Sequence, residues 1–427
     1  MPAADNQPWD VVVIGGGAAG YFTAISVAEH RPGARILIVE AARQDLAKVK
    51  ISGGGRCNVT HACFQPAEFI QHYPRGGKAL KENFRTFGPT ETVAWFADHG
   101  VALKTEADGR MFPVTDDSQT ILDCLRGTAT RLGFTCRTAS PVAGVLRQAD
   151  GSFQLTFEKG HPPLTTRHLV LATGGSPAGY RLAESLGHAL VSPCPSLFTL
   201  KVNDPQLHAL AGISVPAVTG TLTVPGEKPI TQSGPLLITH WGLSGPCILR
   251  LSAWGARHLK AVGYQATVTL DWFPEIHADA LRLGLLTMKQ AQGGRIFRNA
   301  RSQTPEIPGA IPARLWDYLL RHGEIDPDAK TDTIKDKALN RLAEKLKRWP
   351  VAVSGKGAFK EEFVTAGGVA LKDMHLPTYE SRQCPQLYIV GELLDVDGVT
   401  GGFNFQNAWT SGFITGRAIA AQLRTAQ

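Results

Sequence analysis

The stretch WDVVVIGGGAAGYFTAISVAEHRPGARILIVE, residues 9–40, decides the fold. Trp9 to Ile14 is an apolar run of strand length, Ala18 to His30 carries a helical pattern, and Ile36 to Glu40 is apolar again and ends on a carboxylate. Strand, glycine turn, helix and strand make a βαβ unit. Its turn, Gly15-Gly16-Gly17-Ala18-Ala19-Gly20, has the spacing G-x-G-x-x-G. Gly15 permits the tight turn, Gly17 lets backbone approach a pyrophosphate, and Gly20 lets the helix pack closely on the strand. The helix start at Ala18 and Ala19 offers amides and a positive dipole end to phosphates. Glu40, placed at the end of the second strand, is suited to accept from ribose hydroxyls. The unit predicts a dinucleotide-binding α/β domain.

Three further glycine-rich segments belong to the same site. Ser52-Gly53-Gly54-Gly55-Arg56-Cys57-Asn58 follows the unit; Gly54 and Gly55 clear side chains from a ligand, and Arg56, Cys57 and Asn58 lie where a dinucleotide would pass. The apolar strand His168 to Ala172 runs into Thr173-Gly174-Gly175, and ligands of open α/β sheets bind at such strand ends. Leu387 to Val390 reads as another buried strand, followed by Gly391, Glu392, Asp397, Gly401, Gly402, Phe403 and Asn404 and then a final helix. The start of that helix offers amides and a positive dipole end to an electron-rich edge of a bound cofactor, with Glu392 placed to accept from its hydroxyls. Val142, opening a β-meander strand, completes the cofactor contacts.

With 427 residues, 43% hydrophobic and 19% charged, the chain can bury a large core and is expected to form two or three domains. The expected order is a first part of the nucleotide domain at 1–191, an insertion at 192–350 and the domain's last part at 351–427. The insertion reads as β-rich to 273 and helical from 274, with an amphipathic helix near Thr333 to Arg348. The segment ahead of Trp9 lacks a basic n-region and an apolar h-region, and no apolar run approaches spanning length, so neither export nor a membrane is expected. Seven scattered cysteines without C-x-x-C argue against a disulfide framework or a metal site and favour the cytoplasm. A net charge of +7 and a pI near 9.0 favour anionic partners, RNA among them.

The run Lys50 to Thr60 and the Gly391 to Asn404 segment together resemble the bacterial flavoprotein family of the YhiN and BaiN type. The likeness extends to Thr239-His240-Trp241-Gly242-Leu243-Ser244-Gly245-Pro246 and Val364-Thr365-Ala366-Gly367-Gly368-Val369, so it covers nearly the whole chain. It implies FAD and a glutathione-reductase-like FAD-binding Rossmann domain with an inserted β-barrel-like plus helical domain. It also implies a range of reactions: reduction of conjugated C=C bonds in oxo-steroids, reduction of a uridine in large-subunit ribosomal RNA, and oxidation of aminoacetone. His61 and Tyr379 stand where the family more often has Asn and Met.

The chain has no second G-x-G-x-x-G on a βαβ unit, so NADH or NADPH is expected as a transient donor. Cys57 is the candidate proton donor for C=C reduction, although a small packing cysteine is the plainer reading. His240, beside Trp241 in the insertion, is the second catalytic candidate. Arg295, Arg298, Arg301, Lys335, Arg341, Lys345, Lys347 and Arg348 form either an RNA-facing patch or an ordinary solvated surface. The expected function is NAD(P)H-driven reduction of a conjugated C=C bond, in a uridine of ribosomal RNA or in a small enone. Two alternatives remain open: a flavin oxidase of a small amine that produces hydrogen peroxide, and an FAD-stabilised RNA-binding or assembly protein. Sequence leaves the oligomeric state open.

Overall fold

The computed structural model describes residues 7–291, 293–300, 311–357 and 364–425. The chain divides into two compact units, Met1–Pro193 with Val364–Gln427, and Cys194–Phe363.

The first unit is built on a nine-stranded sheet. Its parallel centre runs in the order Leu387–Ile389, Leu164–Leu171, Trp9–Ile14, Ile36–Val39 and Thr135–Arg137. Val11, Val12 and Val13 are fully buried, as expected of parallel strands covered on both faces. The register pairs Ile14 with Val39 and with Leu171, Leu171 with Ile389, and Val39 with Arg137. Five strands therefore end together, and three of them, Trp9–Ile14, Leu164–Leu171 and Leu387–Ile389, run into glycine segments at this one edge. Strand order reverses on either side of Trp9–Ile14, which makes the edge beside it a topological switch point. Leu164–Leu171 begins earlier than the sequence suggested because Leu164 to Thr166 pair with the meander strand Phe153–Phe157.

The helix Ala18–His30 is covered by the last helix, Phe403–Thr425. Small residues set the approach: a Cβ on Gly412 would lie 2.9 Å from Ala19 O, and one on Gly416 2.4 Å from the Ser26 Cβ. Ser26 Oγ donates to Phe413 O at 2.9 Å across the same seam.

In the second unit, six strands close into a barrel in the order Leu200–Val202, Gly242–Ser244, Ile230–Thr239, Ser214–Thr223, Ala266–Asp271 and Trp349–Lys356. The expected boundary returned the chain to the nucleotide domain at 351. Instead Trp349–Lys356 is the strand that closes the barrel, pairing with Ala266–Asp271 and with Leu200–Val202. The expected helix near Thr333 to Arg348 is Asp336–Lys347, whose buried stripe is Leu339, Leu342, Ala343 and Leu346. Leu281, Leu285, Leu315 and Trp316 from neighbouring helices belong to the same core as the barrel interior.

No helix among the described residues is long and apolar enough to cross a membrane. Within the same residues, no group of three or more His, Cys, Asp or Glu is placed to hold a metal ion.

Candidate functional site

The first turn separates its glycines by role. A Cβ on Gly15 would lie 2.4 Å from Ala172 O, and one on Gly20 only 2.0 Å from Gly15 O, so both positions are closed by backbone. A Cβ on Gly17 would meet nothing within 4 Å, so this glycine faces open space at the start of the helix that carries Ala18 and Ala19. Glu40 is a brace as well as a ribose candidate: its carboxylate accepts from Gly16 N at 2.7 Å and Ala42 N at 2.8 Å. Asp45, which sequence reasoning missed, receives hydrogen bonds from Tyr21 and Arg126, and Leu46 N donates to Gly16 O at 2.8 Å. Burial opposes the charged form of Asp45, but Arg126 and Tyr21 outweigh it and hold the carboxyl below its ordinary value. Burial first, and then Asp45, push the Tyr21 phenol up.

The triple-glycine loop leaves helical geometry at Ser52, and Gly53, Gly54 and Gly55 follow with φ of 58°, 70° and 85°. Three successive left-handed residues are accessible to glycine at little cost. Side-chain directions at Gly54 and Gly55 are open. Arg56 is engaged: its guanidinium lies 2.6 Å from Glu106 and 3.4 Å from Asp116, and 4.0 Å from the centre of the Phe112 ring. Asn58 joins two segments of the site, with its amide oriented to accept from Gly402 N at 3.0 Å and to donate to Thr60 O at 3.0 Å.

Cys57 does not fit the expected proton donor. The thiol is fully buried, and burial pushes it up to about 12. Such a group holds its proton at neutral pH and is a poor acid there.

Past the end of strand Leu164–Leu171, Gly174 and Gly175 lie against Glu392. A Cβ on Gly174 would be 3.7 Å from the Glu392 carboxylate, and one on Gly175 would be 2.4 Å from Thr365 Oγ1. Glu392 accepts from Thr365 N at 2.8 Å and pairs with Lys48 at 3.1 Å. The motif reading missed Lys48, and it quoted Thr365 within the Val364 to Val369 segment without assigning it to the site. Gly391 packs beside Ala19, where an added Cβ would lie 3.0 Å from the alanine Cβ, and Gly391 N donates to Ser411 Oγ at 3.0 Å.

Asp397 is a correction to the expected contacts. Its side chain is fully buried, and both carboxylate oxygens accept from the Arg75 guanidinium. A carboxylate so occupied anchors the loop from inside. Asn404 is likewise turned to its own loop, accepting from Gly398 N at 2.8 Å and donating to Gly398 O at 2.9 Å. Gly402 packs on the Thr60 backbone, where a Cβ would lie 2.5 Å from Thr60 O. Gly401 O is 3.0 Å from His61 Nδ1, and Phe403 opens the helix. Val142 is half-buried, two residues beyond Ser140, whose N donates to Glu40 O at 2.8 Å. The four glycine segments thus converge on one edge of one unit.

His240 lies in the other unit. It is exposed and shares with Trp241 the two-residue turn between strands Ile230–Thr239 and Gly242–Ser244. Of the basic residues in that unit, Arg298 pairs with Asp317 and Asp328, Arg341 and Lys345 with Glu324, and Lys347 with Asp271. Arg295, Lys335 and Arg348 are exposed; Arg301 lies outside the described residues.

The nucleotide edge fits a dinucleotide of the expected kind. Where a Cβ would collide, at Gly15 and Gly20, the obstacle is backbone; where the ligand would approach, at Gly17, Gly54 and Gly55, the space is open.

Among known proteins, the chain is 29% identical to the ribosomal RNA dihydrouridine synthase of Escherichia coli, over 97% of this chain and 99% of that one. It is 28% identical to the 3-dehydro-bile acid delta(4,6)-reductase of Clostridium scindens, over 96% and 98%. A solved structure with a similar fold is the 3-ketosteroid-delta4-(5alpha)-dehydrogenase of Rhodococcus jostii RHA1, at TM-score 0.52 and 14% identity, over 98% of each chain. The architecture is accordingly a Rossmann-type FAD-binding domain with a closed antiparallel barrel. The family model described as HI0933-like protein Rossmann domain matches residues 9–418, and the chain belongs to that HI0933-like family.

Proposed function

We propose that this protein is an FAD-dependent oxidoreductase that uses NADH or NADPH to reduce a C=C bond conjugated to a carbonyl, with a uridine of ribosomal RNA as the favoured substrate and a small enone next. The observation that carries the reading is the convergence of the four glycine segments at one carboxyl edge, with open space at Gly17, Gly54 and Gly55 and close backbone packing at Gly15 and Gly20. FAD, when bound, supplies two-electron hydride chemistry. Gly17 and the helix start after it would receive the pyrophosphate, Glu40 a ribose, Glu392 with Thr173 to Gly175 the middle of the cofactor, and Gly401 and Gly402 the flavin pyrimidine edge. Gly54 and Gly55 would present backbone, not side chains, to the cofactor. Two relatives support the substrate class, since their names describe reduction of a uridine and of a bile-acid double bond. The RNA reading draws on charge as well: within 194–363, Lys and Arg outnumber Asp and Glu, and most of the net +7 is located there.

The test is anaerobic reduction of the purified protein by NADH and by NADPH, followed by reoxidation with ribosomal RNA, an enone or oxygen. Bleaching by nicotinamide and fast reoxidation by RNA is the expected result. Bleaching by an amine with fast recovery in oxygen would replace the reductase reading with the oxidase one.

A further inference from the structure

Beside the start of the last helix stand two histidines that no motif placed in the site. His61 and His72 are both half-buried, with ring centres 5.9 Å apart. Both stack on Phe403, the first residue of the helix, at 4.7 Å and 28° for His61 and 4.4 Å and 16° for His72. His61 Nδ1 is 3.0 Å from Gly401 O; a carbonyl oxygen only accepts, so Nδ1 carries the proton and Nε2 is the atom that gains or gives one. Space at Nε2 depends on Gly109, where a Cβ would lie 2.5 Å from it. His72 is held by the same loop, its carbonyl accepting from Val399 N at 2.8 Å. Other ionisable groups on the packed elements are Arg110, the register partner of His61, which pairs with Glu106 and Asp108; Arg75, which pairs with Asp397; and Tyr73, whose hydroxyl donates to Phe403 O at 2.6 Å. Both arginines have carboxylate partners, and the two imidazoles are the groups of this cluster whose side-chain type titrates near neutral pH.

We propose that His61 and His72 form an imidazole pair that supplies the proton accompanying hydride transfer. This rests on the reductase reading above. Saturating a conjugated C=C bond adds a hydride, with both electrons, to one carbon and a proton to the other. NAD(P)H is the source of the hydride and leaves as NAD(P)+. An imidazolium of the pair gives its proton from a ring nitrogen, becomes neutral and regains the proton from solvent.

The experiment compares the wild-type holoenzyme with His61→Asn, His72→Asn and the double variant. The amide introduced by His61→Asn keeps a donor for Gly401 O but does not titrate. One readout needs no substrate: proton uptake, followed with a pH dye, during anaerobic dithionite reduction of the flavin. The double variant is expected to take up fewer protons per flavin between about pH 6 and 8. The second readout is enone or RNA turnover against pH, expected to fall about a hundredfold with loss of the pH-dependent limb, while flavin content is kept. If His61→Asn loses flavin, His72→Asn carries the comparison, because it leaves the Gly401 contact in place. Unchanged proton uptake together with an unchanged pH profile in flavin-loaded variants would overturn the proposal alone. A wild-type protein that retains no added FAD would overturn the reductase reading and this inference with it.

Discussion

Gly17 and Gly20 occupy one turn and answer to different constraints. Gly17 has open space where a Cβ would be, at a φ of −94° that any residue adopts, so Gly17→Ala should leave the thermal melt within about 2 °C of wild type. The added methyl would stand in the path of the pyrophosphate, and equilibrium dialysis should find FAD bound at least about tenfold more weakly, which is about 1.4 kcal/mol. Gly20→Ala should do the reverse. Its methyl would be forced on Gly15 O, and overpacking of this kind costs about 1–3 kcal/mol, to be read in a urea melt. Cys57 gives a third residue-level expectation. A thiol raised to about 12 stays protonated across the working range, so Cys57→Ser should keep reductase turnover within about threefold; a loss of about a hundredfold would restore the thiol as proton donor. The glycines could be read correctly in advance because their spacing encodes a backbone path. The partners of Asp397, Arg56 and Asn404 were illegible, because a carboxylate, guanidinium or amide looks the same in sequence whether it meets a ligand or a neighbouring loop.

Elements were legible to the extent that a period marked them. Ala18–His30 and Trp9–Ile14 have the ranges that the pattern of residues 9–40 implied. The barrel's last strand was not legible. Its closure joins Trp349–Lys356 to Leu200–Val202, segments far apart in the chain, and the strand reads as the end of a helix followed by a short β-branched run until its two neighbours are known. The seam between the first and last helices yields a prediction of its own. Gly416→Val would press on Ser26 and Thr23 and should lower stability by about 1–3 kcal/mol in a urea melt, without touching any residue at the nucleotide edge. The Arg75 and Asp397 pair fastens the loop before the last helix. Asp397→Asn removes the negative charge that faces a guanidinium only 10% exposed, a change expected to cost about 3–5 kcal/mol in the same measurement.

At the scale of the whole molecule, stability should depend on pH through the centre of the sheet. His168, paired in register with Val11, is buried with no partner for its Nδ1 among the described residues. Burial pushes it down to about 4, against the smaller pull of Asp10. The unfolded chain then binds a proton that the folded one refuses, so stability is full above the ordinary value of 6.5 and is lost as pH falls from there towards 4. The difference approaches about 3 kcal/mol at the acid end. Urea melts at about pH 7.5 and 4.5 should differ by more in wild type than in His168→Gln, and equal differences would remove the histidine as the cause. The two-helix seam has a consequence for synthesis. At about 5–20 residues per second, the ribosome finishes Ala18–His30 long before it makes Phe403–Thr425, and the apolar flank of the early helix must wait for its cover. Cofactor capture is therefore a late event in the life of each new chain, after the inserted unit has been made, and truncation near the C-terminus should cost the nucleotide edge as much as damage to the N-terminal glycines.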